Sequence, residues 1–361
     1  MRYSNSLLPT LLITTAAFGL AACDGDTPTD PSAPIAAKSI AVPSRKLAFT
    51  TTRDGDGEVY AMNANGTGQV NLTSNPGESD YRPAWSPNGK KIAFLRGFHL
   101  FIMNGDGTGL QDLTGAAGFL PSAQPVWSPD GSTILFSMGP SQGPSGLDVW
   151  RVHPDGSGLV NVTADGLFNG DAGWSPDGSR IVYIRNTSDG VSQTEDRGIH
   201  SIAPDGTGRI QLTASERDSK PAWSPNGSQI AFTRSTGPGA DDEIFVMNTN
   251  GGSVTNITND PADDELPVWS PDGSKILFLS PRSGSWQLYT MGATGNNLSQ
   301  LTATDHTGPG VWSPDGAYIA FTRRPEAGNK FSVWTMTASG DDETVVSTGG
   351  NNSDLTWKGM R

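Results

Sequence analysis

WSPNGKKIAFLRGFHLFIMNGDGTGLQDLT, residues 85–114, decides the fold. A tryptophan runs into Ser-Pro-Asn-Gly, where proline presets one backbone dihedral and glycine accepts a positive one, so the chain reverses. Ile92-Ala93-Phe94-Leu95 follows, apolar at consecutive positions, as a strand covered on both faces reads. A second apolar segment, Leu100 to Met103, leads into another glycine turn, and Leu113-Thr114 ends the unit. Short extended segments separated by tight turns predict one four-stranded antiparallel sheet.

The unit recurs. W-S-P-[DN]-G begins at Trp85, Trp127, Trp174, Trp223, Trp269 and Trp312, with spacings of 42, 47, 49, 46 and 43, and Trp357 follows 45 later in T-W-K-G, without the turn. The second segment appears at 46–50, 91–95, 133–137, 180–184, 229–233, 275–279 and 318–322. The third lies at 59–68, 100–109, 149–158, 199–208, 244–252, 288–295 and 333–340, and a short fourth at 71–73, 112–114, 161–163, 211–213, 256–258, 300–302 and 345–347. A period of this length points to propeller blades. The first blade lacks its Trp strand and the chain supplies one at its end, so Thr356-Trp357 pairing beside Lys46 to Thr50 would close a ring without open sheet edges. The expected fold is all-β: a seven-bladed β-propeller of four-stranded blades over residues 44–361, closed by its terminal strands. Seven of the ten Trp share one repeat position, where a large ring fills the wedge between blades.

Composition agrees. With 45 Gly, 26 Pro and only 17% charged residues, the chain is built of turns rather than long helices. Its formal charge is −13, and the clustered Lys and Arg that phosphate neutralisation needs are missing, which excludes nucleic acid as a partner.

Residues 1–22 read as a secretory signal, with Arg2, an apolar stretch from Leu7 to Leu20 and then small residues. The one cysteine, Cys23, follows Leu20-Ala21-Ala22, which resembles the bacterial lipobox cleaved before a lipid-modified cysteine. The expectation is a lipid-anchored protein of the bacterial cell envelope, on the periplasmic or extracellular side of a membrane, held by acyl chains on Cys23. Residues 23–43, rich in Asp, Thr, Pro, Ser and Ala, suit a flexible tether.

W-S-P-D-G followed by I-A-F, then I-Y-x-M-N-x-x-G and L-T, resembles the repeat of the TolB-type propellers over about residues 46–361. The resemblance implies protein docking at the cell envelope. It departs in two ways: the chain has no room before residue 46 for the family's N-terminal α/β domain, and it counts seven repeats rather than six. Some propellers of this kind are metal-dependent pectate-type lyases, so the alternative function is a metal-dependent polysaccharide lyase or hydrolase using the central channel.

Chemical motifs are sparse. Gly139-Pro140-Ser141-Gln142-Gly143 matches the nucleophile elbow G-x-S-x-G, yet it falls between two strands of one blade and no α/β-hydrolase domain follows. His99, His153, His200 and His306 occupy different repeat positions, without metal-ligand spacing. Asp54-Gly-Asp-Gly-Glu58 reads as a hairpin turn, since EF-hand spacing is absent. Asn71, Asn161 and Asn256, in Asn-x-Thr triplets, arise from the repeat. No catalytic residue, metal ligand or cofactor is assigned, and the chain reads as a monomer.

What remains is the segment entering each Trp strand. Five residues before each Trp stand Asp80, Ser122, Asn169, Asp218, Asp264, Thr307 and Asn352, short and polar, as turn-capping bonds to the backbone require. Three before stand Arg82, Gln124, Asp171, Lys220, Leu266, Pro309 and Asp354, chemically mixed on a constant frame. Loops hold specificity while strands hold shape, so Arg82, Asp171, Lys220, Glu265, His306 and Asp354 are the expected surface for an envelope protein or glycan.

Overall fold

The computed structural model describes residues 45–359 apart from 116–118, 122–123, 141–145, 187–195, 238–240 and 326–327. The signal segment, Cys23, its tether, Ser122 and Ser141 lie outside the described residues.

Seven antiparallel sheets follow one another along the chain. Blade 2 is representative: Asp80–Trp85, Lys91–Arg96, His99–Asn104 and Gln111–Asp112 pair in that order. Blade 3 departs in its Trp strand, which is broken into Phe119–Pro121 and Val126–Trp127. Blade 1 combines both ends of the chain: Asn352–Trp357 pairs antiparallel with Lys46–Thr51, with Leu47 opposite Trp357 and Ala48 opposite Thr356. The expected closure is therefore observed. Trp strands of neighbouring blades approach one another at every junction, which sets them around the axis and leaves the fourth strands at the rim.

The buried apolar residues fall into seven clusters, and each cluster joins two neighbouring blades, including blades 7 and 1. Covering both faces of every sheet explains the unbroken apolar runs: Ile92, Ala93, Phe94 and Leu95 are all fully buried. The repeated Trp fills the wedge as expected and also bonds across it. The indole N–H of Trp127, Trp174, Trp269, Trp312 and Trp357 donates to the carbonyl just before the preceding blade's Trp, at 3.0–3.3 Å. Trp85 and Trp223 have buried indole nitrogens without an acceptor.

The Ser-Pro-Asx-Gly turns form one face. Their glycines take φ of 64–73°, a backbone that side chains disfavour, and a Cβ on Gly131, Gly178, Gly227, Gly273 or Gly316 would lie 3.5–3.8 Å from the preceding blade's turn proline. Gly359 of the tail packs so closely that its Cβ would stand 2.0 Å from the Pro87 carbonyl oxygen, so T-W-K-G substitutes for the missing turn.

The fourth strands are shorter and earlier than expected. Six are two residues long and end before the Leu-Thr pair, whose threonine hydroxyl instead accepts from the third strand's backbone, as Thr114 does from Leu100 N–H at 3.1 Å. Such brief rim strands offer little edge to pair with another chain.

Candidate functional site

Each Trp strand carries an irregularity at the position where the sequence varies. Pairing slips between Tyr81 and Ala84, Gly170 and Gly173, Ser219 and Ala222, Glu265 and Val268, and Thr307 and Gly310, and the closing strand slips likewise between Ser353 and Thr356. A bulge twists a strand and redirects the side chain on it. At five of these slips the residue three before the Trp sits in the left-handed region: Arg82 (φ 56°), Asp171 (49°), Lys220 (52°), Leu266 (58°) and Asp354 (52°). That conformation costs a residue with a Cβ about 1–2 kcal/mol. Pro309 cannot adopt it, because its ring holds φ negative. Four of the six expected site residues thus stand at equivalent bulges on the strands nearest the axis.

The structure brings these residues together in two groups. Lys220 Nζ donates to Asp171 Oδ1 at 2.8 Å, linking blades 5 and 4, and the Lys220 backbone N–H reaches Asp171 Oδ2 at 3.3 Å. Glu265 extends this row to blade 6. Burial pushes its carboxyl above the usual carboxylate range, Asp242 and Asp263 push the same way, and the Lys220 ammonium pulls back. Arg82 and Asp354 stand at the junction of blades 2 and 1, where both act on the Tyr81 hydroxyl, itself raised chiefly by burial, and Arg82 N–H donates to Thr50 Oγ1 at 3.2 Å. His306 begins its strand opposite Arg324 and, among the described residues, forms no bond with the other five.

Of the residues five before each Trp, the six that are described are buried, but backbone capping describes only part of what they do. Asp80 and Asp218 receive both ends of an arginine fork, from Arg96 at 2.6 and 2.8 Å and from Arg234 at 2.5 and 2.8 Å, and Asp264 takes Arg282 Nη2 on both oxygens at 2.7 Å. Asn352 does bond backbone carbonyls, those of Phe331 and Gly349, whereas Thr307 bonds the Gln287 side chain. Each arginine also lies over an aromatic pair. Arg53, Arg96, Arg234, Arg282 and Arg323 sit 4.5–5.6 Å from both rings of Phe49/Tyr60, Phe94/Phe101, Phe232/Phe245, Phe278/Tyr289 and Phe321/Trp334. This repeated guanidinium layer stiffens the blades beneath the entry segments. It had a sequence signal that the motif reading passed over: Arg96, Arg234 and Arg323 each stand 11 residues after a repeat tryptophan.

Blade 4 departs from the pattern. His200 replaces the second aromatic, lies 5.8 Å from Tyr183 at a tilt of 35°, and hydrogen-bonds through Nε2 to Asp196 Oδ1 at 2.7 Å, while burial raises the Tyr183 hydroxyl to about 12. The other histidines are dispersed: His99 Nδ1 meets Asp112 Oδ2 at 3.0 Å, and His153 Nδ1 meets the Ser132 carbonyl at 2.9 Å. Among the described residues no three His, Cys, Asp or Glu side chains converge on a point where they could hold a cation. The G-x-S-x-G match joins Ile134–Pro140 to Asp148–Val152, two strands of blade 3. Asp54-Gly-Asp-Gly-Glu58 links two paired strands as a hairpin, and Asn71 and Asn256 side-chain oxygens cap the backbone after them.

Comparison with known proteins places this geometry. Over 74 residues the chain is 32% identical to the Tol-Pal system protein TolB 1 of Novosphingobium aromaticivorans, a match spanning 20% of this chain and 16% of that protein. TolB from Acinetobacter baumannii superposes with a TM-score of 0.56 at 17% identity, covering 87% of this chain and 67% of the other. An oligogalacturonate lyase in complex with manganese gives 0.67 at 16% identity, covering 81% and 85%. A Mycobacterium tuberculosis puromycin-hydrolyzing peptidase gives 0.66 at 15%, covering 83% and 53%. These solved likenesses share the fold. Residues 96–240 and 219–358 match the family described as TolB beta propeller domain, and the chain belongs to that family.

Proposed function

We propose that the chain is an envelope-anchored binding propeller that recognises a protein or glycan with the face built from the segments entering its Trp strands. One observation carries this reading. Five bulges share one strained backbone yet present Arg82, Asp171, Lys220, Leu266 and Asp354, so the frame is constant and the chemistry differs from blade to blade. Glu265 and His306 adjoin this row. A binding surface that reads one partner uses such variation, whereas a purely architectural position has no need of it.

The alternative, a polysaccharide lyase or hydrolase working through a bound cation, draws on the manganese-containing neighbour. The described residues do not gather a donor set for it. Anchoring through Cys23 is part of the proposal, and Cys23→Ser tests it: the wild type takes up labelled palmitate and sediments with membranes, and the variant does neither. For recognition, the full lipoprotein is used as bait on detergent-solubilised envelope, beside Arg82→Glu and Lys220→Glu. A partner retained by the wild type and lost by both variants supports the proposed face. Equal recovery by all three proteins places recognition elsewhere.

A further inference from the structure

We infer a second binding site, for one or two units of a neutral sugar, in the groove between blades 4 and 5 on the face of the Ser-Pro-Asx-Gly turns. The groove encloses about 440 Å³, against about 380 Å³ between blades 3 and 4 and about 250 Å³ between blades 6 and 7. Its size lies within the usual range for small-molecule sites.

Three features set this wedge apart from its repeats. The first is an uncovered aromatic. Trp85, Trp127, Trp269, Trp312 and Trp357 are buried in their wedges, whereas Trp174 and Trp223 are half-buried and each lines a groove; of these two, only Trp223 has no acceptor for its indole N–H, so its ring is not fixed by a bond. A ring presented in this way takes the C–H face of a pyranose.

The second is amides in place of carboxylates. Four of the six intact Ser-Pro-Asx-Gly turns carry aspartate, as do three of the glycine turns after the third strand, at Asp106, Asp155 and Asp205. Blade 5 has Asn226 and Asn250 at these two positions, and both line the groove. Each uses its side-chain oxygen on a backbone N–H at 3.0 Å, Ser228 for Asn226 and Gly252 for Asn250. The amide nitrogens are left as donors for hydroxyls. Thr249, which also lines the groove, likewise has a hydroxyl without a protein partner among the described residues.

The third is charge. Arg180 is committed, donating to Ser201 Oγ at 3.1 Å and to the Gly208 carbonyl at 2.7 Å. On the same blade 4 turn, Asp177 stays ionised, because the Ser175 hydroxyl and the Ser179 N–H and hydroxyl hold its carboxyl down at about 2. With the Arg180 guanidinium balancing the Asp177 carboxylate, the groove lining carries no net charge, which favours a neutral ligand. The two apolar liners beside the ring, Pro176 and Ile210, bound a slot rather than a lipid-sized cavity.

Saturation-transfer NMR and titration calorimetry with maltose, cellobiose, chitobiose and digalacturonate test the site on the mature protein. At least one neutral disaccharide is expected to bind at millimolar or better Kd, and digalacturonate at least tenfold more weakly. Asn226→Asp with Asn250→Asp restores what other blades carry and so preserves the fold; it should weaken neutral-sugar binding tenfold or more. Lys220→Glu, in the channel row, should leave it unchanged, which separates this site from the proposed partner face. Absence of binding by all neutral probes overturns the inference. So does binding that is indifferent to the double variant or that moves with Lys220→Glu.

Discussion

Replacing each wedge tryptophan by phenylalanine, one at a time, tests the inter-blade bond directly. The change removes one ring and one N–H at every site while keeping an aromatic face. Two matched pairs isolate the N–H. Trp357 and Trp85 are 7% and 6% exposed, but only Trp357 donates, to Val311 at 3.0 Å. Trp174 and Trp223 are both half-buried, but only Trp174 donates, to Val126 at 3.2 Å. Losing a bonded donor costs about 0.5–1.5 kcal/mol, whereas deleting a buried donor that has no acceptor relieves a penalty of about 1–3 kcal/mol. Trp357→Phe should therefore destabilise by roughly 1.5–4.5 kcal/mol more than Trp85→Phe, and Trp174→Phe by a similar margin more than Trp223→Phe. Urea unfolding followed by far-UV circular dichroism, with slopes compared before free energies are extracted, gives the four values. Equal losses within each pair, or the opposite order, would show that the wedge is held by ring volume alone.

Deleting residues 352–361 removes the strand opposite Lys46–Thr51 and exposes its edge, so light scattering should find a larger mean mass than for the intact chain; an unchanged state of association and urea midpoint would refute closure. Arg234→Met or Asp218→Asn alone should cost about 3–5 kcal/mol by stranding a buried partner, and the double variant well below the sum of the two, as a double-mutant cycle on unfolding free energy would record. Glu265, raised in the folded state, contributes stability that is full below the unfolded carboxylate pKa and lost as pH rises through its folded value. Glu265→Gln should accordingly stabilise at pH 7 and not at pH 3.5, a contrast readable from urea midpoints at the two values. Asp177 has the opposite sign: its support is present above the unfolded pKa and fades as pH falls toward about 2, so Asp177→Asn should narrow the gap in midpoint between pH 5 and pH 2.5.

How far the sequence was legible follows from which interactions repeat. Trp, Pro and Gly recur at fixed spacing because each acts on its own blade or the next, so the blade number and the pairing of Trp357 with Leu47 could be read before any coordinates. The Leu-Thr element also recurs, but its threonine was misread as strand, since a hydroxyl that caps a neighbouring N–H looks in sequence like a β-former. The arginine layer was visible at 11 residues after three tryptophans, yet its meaning depends on aromatic faces and a carboxylate brought together from three strands. Left-handed backbone at Arg82, Lys220 and Leu266 had no sequence signal, because none of these residues favours it, and Asp171 and Asp354, of a type enriched there, gave only a weak one.

That last gap bears on function. A residue such as Leu266 gains nothing locally from a positive φ, so the bulge must be imposed by the ladder on either side, where Glu265 pairs with Leu279 and Val268 with Leu277. The scaffold thus fixes five side-chain directions independently of what those side chains are. Arg82, Asp171, Lys220 and Asp354 can then be exchanged without refolding the blade, which makes the ring of bulges a place where recognition can change while the wedges stay constant. If instead the residues themselves dictated the bulges, Lys220→Gly, which accepts a positive φ freely, would destabilise; the ladder argument requires it to be neutral or stabilising by about 1 kcal/mol before any loss from the Asp171 pair, and unfolding of Lys220→Gly in an Asp171→Asn background decides between the two.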